Sequence, residues 1–103
     1  MSIAESAILA RLPHLWVVVH QGEVRSAAVF SAQMDYAAMI GGVFTPVGHR
    51  RRGYASSLLH AMCSHLYAQG RAACLFYHNP HARRVYLRLG FREVGPWALV
   101  RFD

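Results

Sequence analysis

The sequence predicts an α/β (α+β) fold with a mixed central sheet, an antiparallel meander followed by a β-α-β-α-β unit. Three observations predict it. The half of the chain before Pro46 carries short apolar runs separated by few residues, the spacing of hairpin-connected strands. The other half alternates two helical periodicities with short apolar runs. A strand, a helix and a further strand in succession require a crossover, which makes those two strands parallel neighbours.

Taken in order, residues 2–12 (SIAESAILARL) place Ile3, Ala7, Ile8 and Leu12 at helical spacing before Pro13, and a helix is expected there. Leu15–Val19 is a compact valine-rich run and reads as a buried first strand. Gln21-Gly22 supplies a tight turn into a second strand at Val24–Gln33. A third strand, Tyr36–Thr45, contains Gly41-Gly42, where a ligand or another chain can approach the backbone, and Pro46 ends it. Ala55, Leu58, Leu59, Met62 and Leu66 share one face of the next helix, Ser57, His60 and Ser64 another, and Gly70 is its stop. Ala72–Tyr77 is a short fourth strand. Asn79-Pro80 then reads as an N-cap followed by proline at the first helical position. Ala82, Val85, Tyr86 and Leu89 line that helix, Arg83, Arg84 and Arg88 point away, and Gly90 terminates it. Phe91–Phe102 reads as a last strand interrupted at Gly95-Pro96.

The 103 residues allow one domain, 1–103, and the 54% apolar content excludes a disordered chain. No apolar run reaches the ~18–20 residues of a membrane span, and the start of the chain lacks the basic flank and apolar block of a leader, so a cytoplasmic protein with no membrane partner is expected. Cys63 and Cys74 form neither a disulfide framework nor a metal spacing; His78 and His81 stand three apart without further ligands, and no metal is expected. All 11 basic residues are arginine, against 5 acids, for a net charge of +6. That balance favours an anionic partner. Any carboxylate chemistry must draw on Glu5, Glu23, Asp35, Glu93 or Asp103.

The junction Thr45-Pro46-Val47-Gly48-His49-Arg50-Arg51-Arg52-Gly53-Tyr54-Ala55-Ser56 leads from a strand into the long helix. The first amides of a helix lack internal partners and sit at its positive end, and Gly53 and Ala55 leave that backbone uncovered. Arginines there are unfavourable unless an anion arrives. A solvated basic loop is the other reading of the same residues. No Gly-Lys-Ser/Thr follows, so a nucleoside-triphosphate loop is unsupported.

The string Val43-Phe44-Thr45-Pro46-x-x-Arg50-x-x-Gly53-x-Ala55 resembles the acyl-CoA signature of the GNAT superfamily of N-acetyltransferases. Asn79 to Phe91, with Asn, then Ala82, then Tyr86, closing in Gly90-Phe91, is similar to that family's second signature. Both stand in the family's order, over about residues 15–102. The resemblance implies an acyl-CoA N-acyltransferase-like fold with acetyl-CoA as cosubstrate and an amine as acceptor. It implies that the backbone of Val43, Phe44 and Thr45 pairs with the pantetheine arm in a splay between the third and fourth strands. The amides of Arg50, Arg51, Arg52, Gly53, Tyr54, Ala55 and Ser56 would hold the diphosphate, with an arginine side chain reaching a phosphate. Asn79 would touch the pantetheine or cap its helix, and Tyr86 takes the general-acid position beside the thioester sulfur. A backbone amide of the third strand would stabilise the oxyanion.

Two departures from the family stand out. The third strand has no glutamate, where many relatives place a base or a water-holding acid; Glu23, Asp35, His20, His49 and His78 are the candidates, with His78 first. The chain also looks curtailed, lacking the family's first strand, one N-terminal helix and the last strand. Exposed sheet edges would follow, so a homodimer completing the sheet or the acceptor cleft is expected. The competing reading is a CoA-binding module without transfer, or half of a larger assembly. Nucleic-acid binding through Arg50–Arg52 and Arg83–Arg88 is disfavoured, because no reader motif or interleaved exposed aromatics accompany the charge.

Overall fold

A computed structural model of the chain describes residues 7–11, by their backbone, and 14–101. Its strands are β1 (Ala7–Arg11), β2 (Leu15–His20), β3 (Glu23–Gln33), β4 (Ala37–Phe44), β5 (Ala72–Phe76), β6 (Arg92–Gly95) and β7 (Ala98–Arg101), with helices α1 (Tyr54–Ala68) and α2 (Pro80–Arg88). They form one sheet of seven strands in the order β1-β2-β3-β4-β5-β7-β6. Neighbours run antiparallel except β4 and β5, which are parallel across the α1 crossover, as the strand–helix–strand order requires.

Two expectations at the ends are corrected. The segment read as a helix over 2–12 is, where described, the strand β1, paired antiparallel with β2 from Ala7↔Val19 to Arg11↔Leu15; residues 2–6 and 12 lie outside the described residues. An eleven-residue helix is marginal on its own, whereas the free edge of β2 offers a ladder of backbone partners. The interruption at Gly95-Pro96 is a hairpin: β6 and β7 pair through Arg92↔Val100 and Gly95↔Ala98. The sheet therefore has strands at both places where the sequence suggested a shortfall.

Helix α1 lies across β2, β3, β4 and β5. Its buried side chains are Tyr54, Leu58, Leu59, Met62, Cys63 and Leu66. They meet the sheet face made by Val18, Ala28, Phe30, Ala38, Ile40, Ala73, Leu75 and Leu99. Each fully buried leucine contributes about 1.5–3 kcal/mol. Tyr54, not Ala55, starts the core stripe, and Ala55 is left half-exposed. Both helices end in the same way. Gly70 (φ 69°) donates to the Tyr67 carbonyl and Arg71 to that of Leu66; Gly90 (φ 97°) donates to Leu87 and Phe91 to Tyr86. These are paired 5→2 and 6→1 bonds around a left-handed glycine, the Schellman arrangement. Arg71 also fans onto the carbonyls of Met34 (2.8 Å) and Ala37 (3.3 Å) and the Gln33 side chain (3.0 Å), pinning the β3–β4 connection to the start of β5. No described helix is long and apolar enough to cross a membrane.

Candidate functional site

Strands β4 and β5 stay paired only from Ala37↔Ala72 to Ile40↔Leu75. The cause lies in β4. Between Ala27↔Phe44 and Val29↔Gly41 it carries one residue more than β3, a bulge, and Gly42 within it is left-handed at φ 59°. A bulge bends its strand, so Gly42 and Val43 turn away from β5 and a gap opens. That gap is a cavity of about 450 Å³ lined by Gly41, Gly42 and Val43 on one side and Phe76, Tyr77 and His78 on the other, with Ala82 and Tyr86 contributed by α2.

A second cavity of about 440 Å³ lies at the start of α1, lined by Thr45, Arg50, Arg51, Gly53 to Ser56, Asn79, His81 and Val85. Asn79 lines both cavities, which places them side by side as one bent groove. Gly53 caps α1 with φ 81°, no side chain caps it, and its first turn holds no acid. The first helical bond is Ser57 N–H to the Gly53 carbonyl at 3.0 Å. The amides of Tyr54, Ala55 and Ser56 therefore precede the helical ladder, at the positive end of the helix. Arg51 is left-handed as well (φ 63°), and such alternation of backbone hand turns successive N–H groups into one concavity. The left-handed φ, not crowding, is what favours glycine at position 53, because a Cβ there would meet nothing within 4 Å.

Each residue singled out in the sequence has a definite place. Thr45, Arg50, Arg51, Gly53, Ala55 and Ser56 line the helix-start cavity; Arg52 is exposed and lines neither. Arg50 Nε donates to the Thr45 carbonyl at 3.1 Å and closes the loop. Tyr54 contributes its backbone, because its ring is buried in the core beneath Arg25, 5.9 Å from ring centre to guanidinium carbon. Val43 lines the splay, whereas Phe44 is 57% exposed and lines neither cavity. Ser26 Oγ donates to the Phe44 carbonyl at 3.0 Å and stands 2.9 Å from Thr45 Oγ1, tying the end of β4 to β3. Asn79 Oδ1 accepts from the His81 amide at 2.8 Å, so the cap is formed.

Tyr86 is half-buried and faces the splay. Its placement follows from the end of α2: its carbonyl accepts the Phe91 N–H, and the two rings meet edge to face with centroids 6.1 Å apart. The Tyr-Gly-Phe pattern is thus a helix cap that fixes the phenol. Burial pushes the Tyr86 pKa above the usual tyrosine value, so its hydroxyl stays protonated through neutral pH.

The base candidates separate clearly. His78 lines the splay. His20 is buried at the end of β2 and Glu23 pairs with Arg25 at 3.8 Å, neither lining a cavity. Asp35 lies before β4, at the strand end opposite the splay. The side chain of His49, like Glu5 and Asp103, lies outside the described residues. Glu93 is engaged with Arg83 on the surface, a hydrogen bond that holds the arginine more firmly charged. Among the described residues no carboxylate lines either cavity, and no three His, Cys, Asp or Glu side chains gather as a metal set. Phe76, Tyr77, His81 and Val85 also line the groove; the sequence put Val85 on the inner face of α2, but no motif marks the other three as site residues.

A family model described as FR47-like protein matches residues 17–101. No curated protein sequence matches the chain. Among solved structures, the ribosomal-protein-S18-alanine N-acetyltransferase from Escherichia coli is similar with TM-score 0.71 and 18% identity, over 90% of this chain and 66% of that one. The PaiA N-acetyltransferase from Thermoplasma acidophilum, in complex with coenzyme A, gives TM-score 0.73 and 10% identity over 86% of this chain and 60% of that one. A GNAT family acetyltransferase from Elizabethkingia anophelis with acetyl-CoA bound gives TM-score 0.72 and 14% identity over 86% and 75%. The chain thus spans under two thirds of the length of the first two.

Proposed function

The chain belongs to the FR47-like family within the GNAT superfamily, and from that premise we propose that it is an N-acetyltransferase moving an acetyl group directly from acetyl-CoA to an amine. The observation that carries this reading is the bent groove joined at Asn79, a gap in the sheet continuous with an open helix start. Its two arms suit the two halves of coenzyme A. The amides of Tyr54, Ala55 and Ser56, with Arg50 and Arg51 beside them, hold the diphosphate. The pantetheine arm lies between the backbone of Gly42 to Thr45 and the end of β5, an added strand that directs the thioester toward Tyr86.

The reaction needs few parts. The amine nitrogen attacks the thioester carbonyl carbon, the C–N bond forms and the C–S bond breaks. A β4 amide steadies the oxyanion. The nitrogen gives up its proton to His78 or to water, and the departing thiolate takes one from the Tyr86 hydroxyl, which solvent restores. We assign the cytoplasm, a compartment that keeps thiols such as those of Cys63 and Cys74 reduced. Among the described strands β1 and β6 are outermost, and these edges support a homodimer, which sedimentation at micromolar concentration tests.

The test is release of free thiol from acetyl-CoA with a panel of amines, with the acetylated amine identified by mass. Amine-dependent thiol release upholds the reading. The second reading, a CoA-binding module, is favoured by the absence of a carboxylate from the splay among the described residues; calorimetric binding of CoA without turnover of any amine would establish it instead.

A further inference from the structure

The gap between β4 and β5 reaches a residue that belongs to neither strand. Ser31 stands on β3, with β4 between it and the gap, and still lines the cavity. Two features of the backbone bring it there. The β3–β4 ladder steps from Phe30↔Ile40 to Ala32↔Met39, so Ser31 is the extra residue of a bulge. A bulge re-aims the side chain it carries. Opposite, Gly41 has no side chain, and a Cβ there would stand 3.3 Å from Ser31 Oγ. The glycine thus leaves a trough over β4 through which the Ser31 hydroxyl meets the gap.

That trough opens on the side of the sheet away from the helices. Ile40 is buried in the core beneath α1, and side chains alternate along a strand, so position 41 faces the other way. Phe76 follows the core residue Leu75 in the same manner and is 62% exposed. Tyr86 of α2, by contrast, packs against the core that α1 covers. The cavity is therefore lined from both faces of the sheet, by Tyr86 on the helix side and by Ser31 and Phe76 on the other. Coenzyme A, as proposed above, takes the helix side, where the cavity adjoins the start of α1 at Asn79. The amine is left the opposite mouth.

Ser31 Oγ donates to the Met39 carbonyl at 3.4 Å. A hydroxyl has one hydrogen and two lone pairs, so what it offers the cavity is an acceptor. We propose that Ser31 holds the acceptor amine by taking a hydrogen bond from its N–H, and that it thereby selects primary over secondary amines. That role rests on the transferase reading and deepens it by naming the substrate class. An uncharged primary amine brings two hydrogens. One is bonded to Ser31 and remains in the product amide; the other passes to His78 or water once the nitrogen has attacked the thioester carbon. The C–S bond breaks and the thiolate takes its proton from Tyr86. A secondary amine has one N–H, which cannot serve Ser31 and the proton acceptor together.

Benzylamine and alanine amide, each against its N-methyl counterpart, test it with acetyl-CoA at saturation. The readout is the ratio of kcat/KM for the primary amine to kcat/KM for its N-methyl form. Ser31→Ala should lower that ratio roughly three- to tenfold, the worth of one hydrogen bond. The loss should fall on the primary amine alone, with the KM for acetyl-CoA and the thermal denaturation of the protein unchanged. A ratio that stays the same in Ser31→Ala, whether through no loss or through an equal loss for both amines of a pair, would overturn the role of Ser31 and leave the transferase reading intact. Turnover of none of the four amines by the parent would overturn both.

Discussion

Ser56→Asp should strengthen the fold and weaken coenzyme A binding in the same variant. Ser56 is the third residue of α1 and lines the cavity at its start. The first turn now carries no acid, so a carboxylate there gains from the helix dipole, about 0.3–1 kcal/mol. The same carboxylate stands where the diphosphate is proposed to sit. At roughly 6 Å and an effective dielectric constant between about 20 and 80, each pair of like charges costs about 0.7–2.8 kcal/mol. Two diphosphate charges double that, and even the lower limit is about a tenfold loss of affinity. Thermal denaturation of the free protein and calorimetric titration with CoA read the two effects separately. Ser56→Ala, which adds no charge, should bind CoA within a few-fold of the parent. A Ser56→Asp protein that is more stable and yet binds CoA as tightly as the parent would refute the placement of the diphosphate at this helix start.

Arg51 and Arg52 should part company: Arg51→Ala lowers CoA affinity and flattens its salt dependence, while Arg52→Ala leaves both unchanged, because only Arg51 lines the cavity. Tyr86→Phe should reduce turnover on the order of a hundredfold with CoA affinity preserved, the scale of a lost general acid. Burial raises the Tyr86 pKa above its unfolded value, so its contribution to stability is complete below the usual tyrosine pKa and declines as pH climbs through the raised one; a near-ultraviolet titration should show a late-ionising phase from Tyr86 that Tyr86→Phe removes. Gly42→Ala should cost about 1–2 kcal/mol for the left-handed backbone, since a Cβ meets Val29 at an ordinary 3.7 Å. It should also raise the KM for acetyl-CoA by straightening the bulge.

What the sequence disclosed and what it concealed divide along physical lines. The α1 and α2 boundaries, the β4–β5 parallel pair and the loop at 45–56 were legible because each depends on local signals: periodicity, a capping asparagine, a glycine after the last turn. The strand at Ala7–Arg11 was not, since Ile8 and Leu9 fit either period and only the unpaired edge of β2 decides between them. The hairpin at Gly95–Ala98 was hidden for a related reason. Its turn places tryptophan where glycine is the usual signal, so the proline read as a break in one strand. At the candidate site, the two signatures fall on residues that line the groove. They could not rank the three arginines, because all three are exposed and which of them line the helix-start cavity is set by the backbone course around the left-handed Arg51. Nor could they show that the Tyr86, Gly90 and Phe91 pattern is a capping device, although its 6→1 and 5→2 spacing is in the sequence to be read.

The most direct measurement of the central claim is an amide-resolved NMR titration with coenzyme A. The account predicts that the N–H resonances of Gly53, Tyr54, Ala55 and Ser56 move together and saturate with one affinity, with those of Gly42 and Val43 following as the pantetheine arm seats. Binding that leaves the four resonances at the start of α1 unmoved would contradict it.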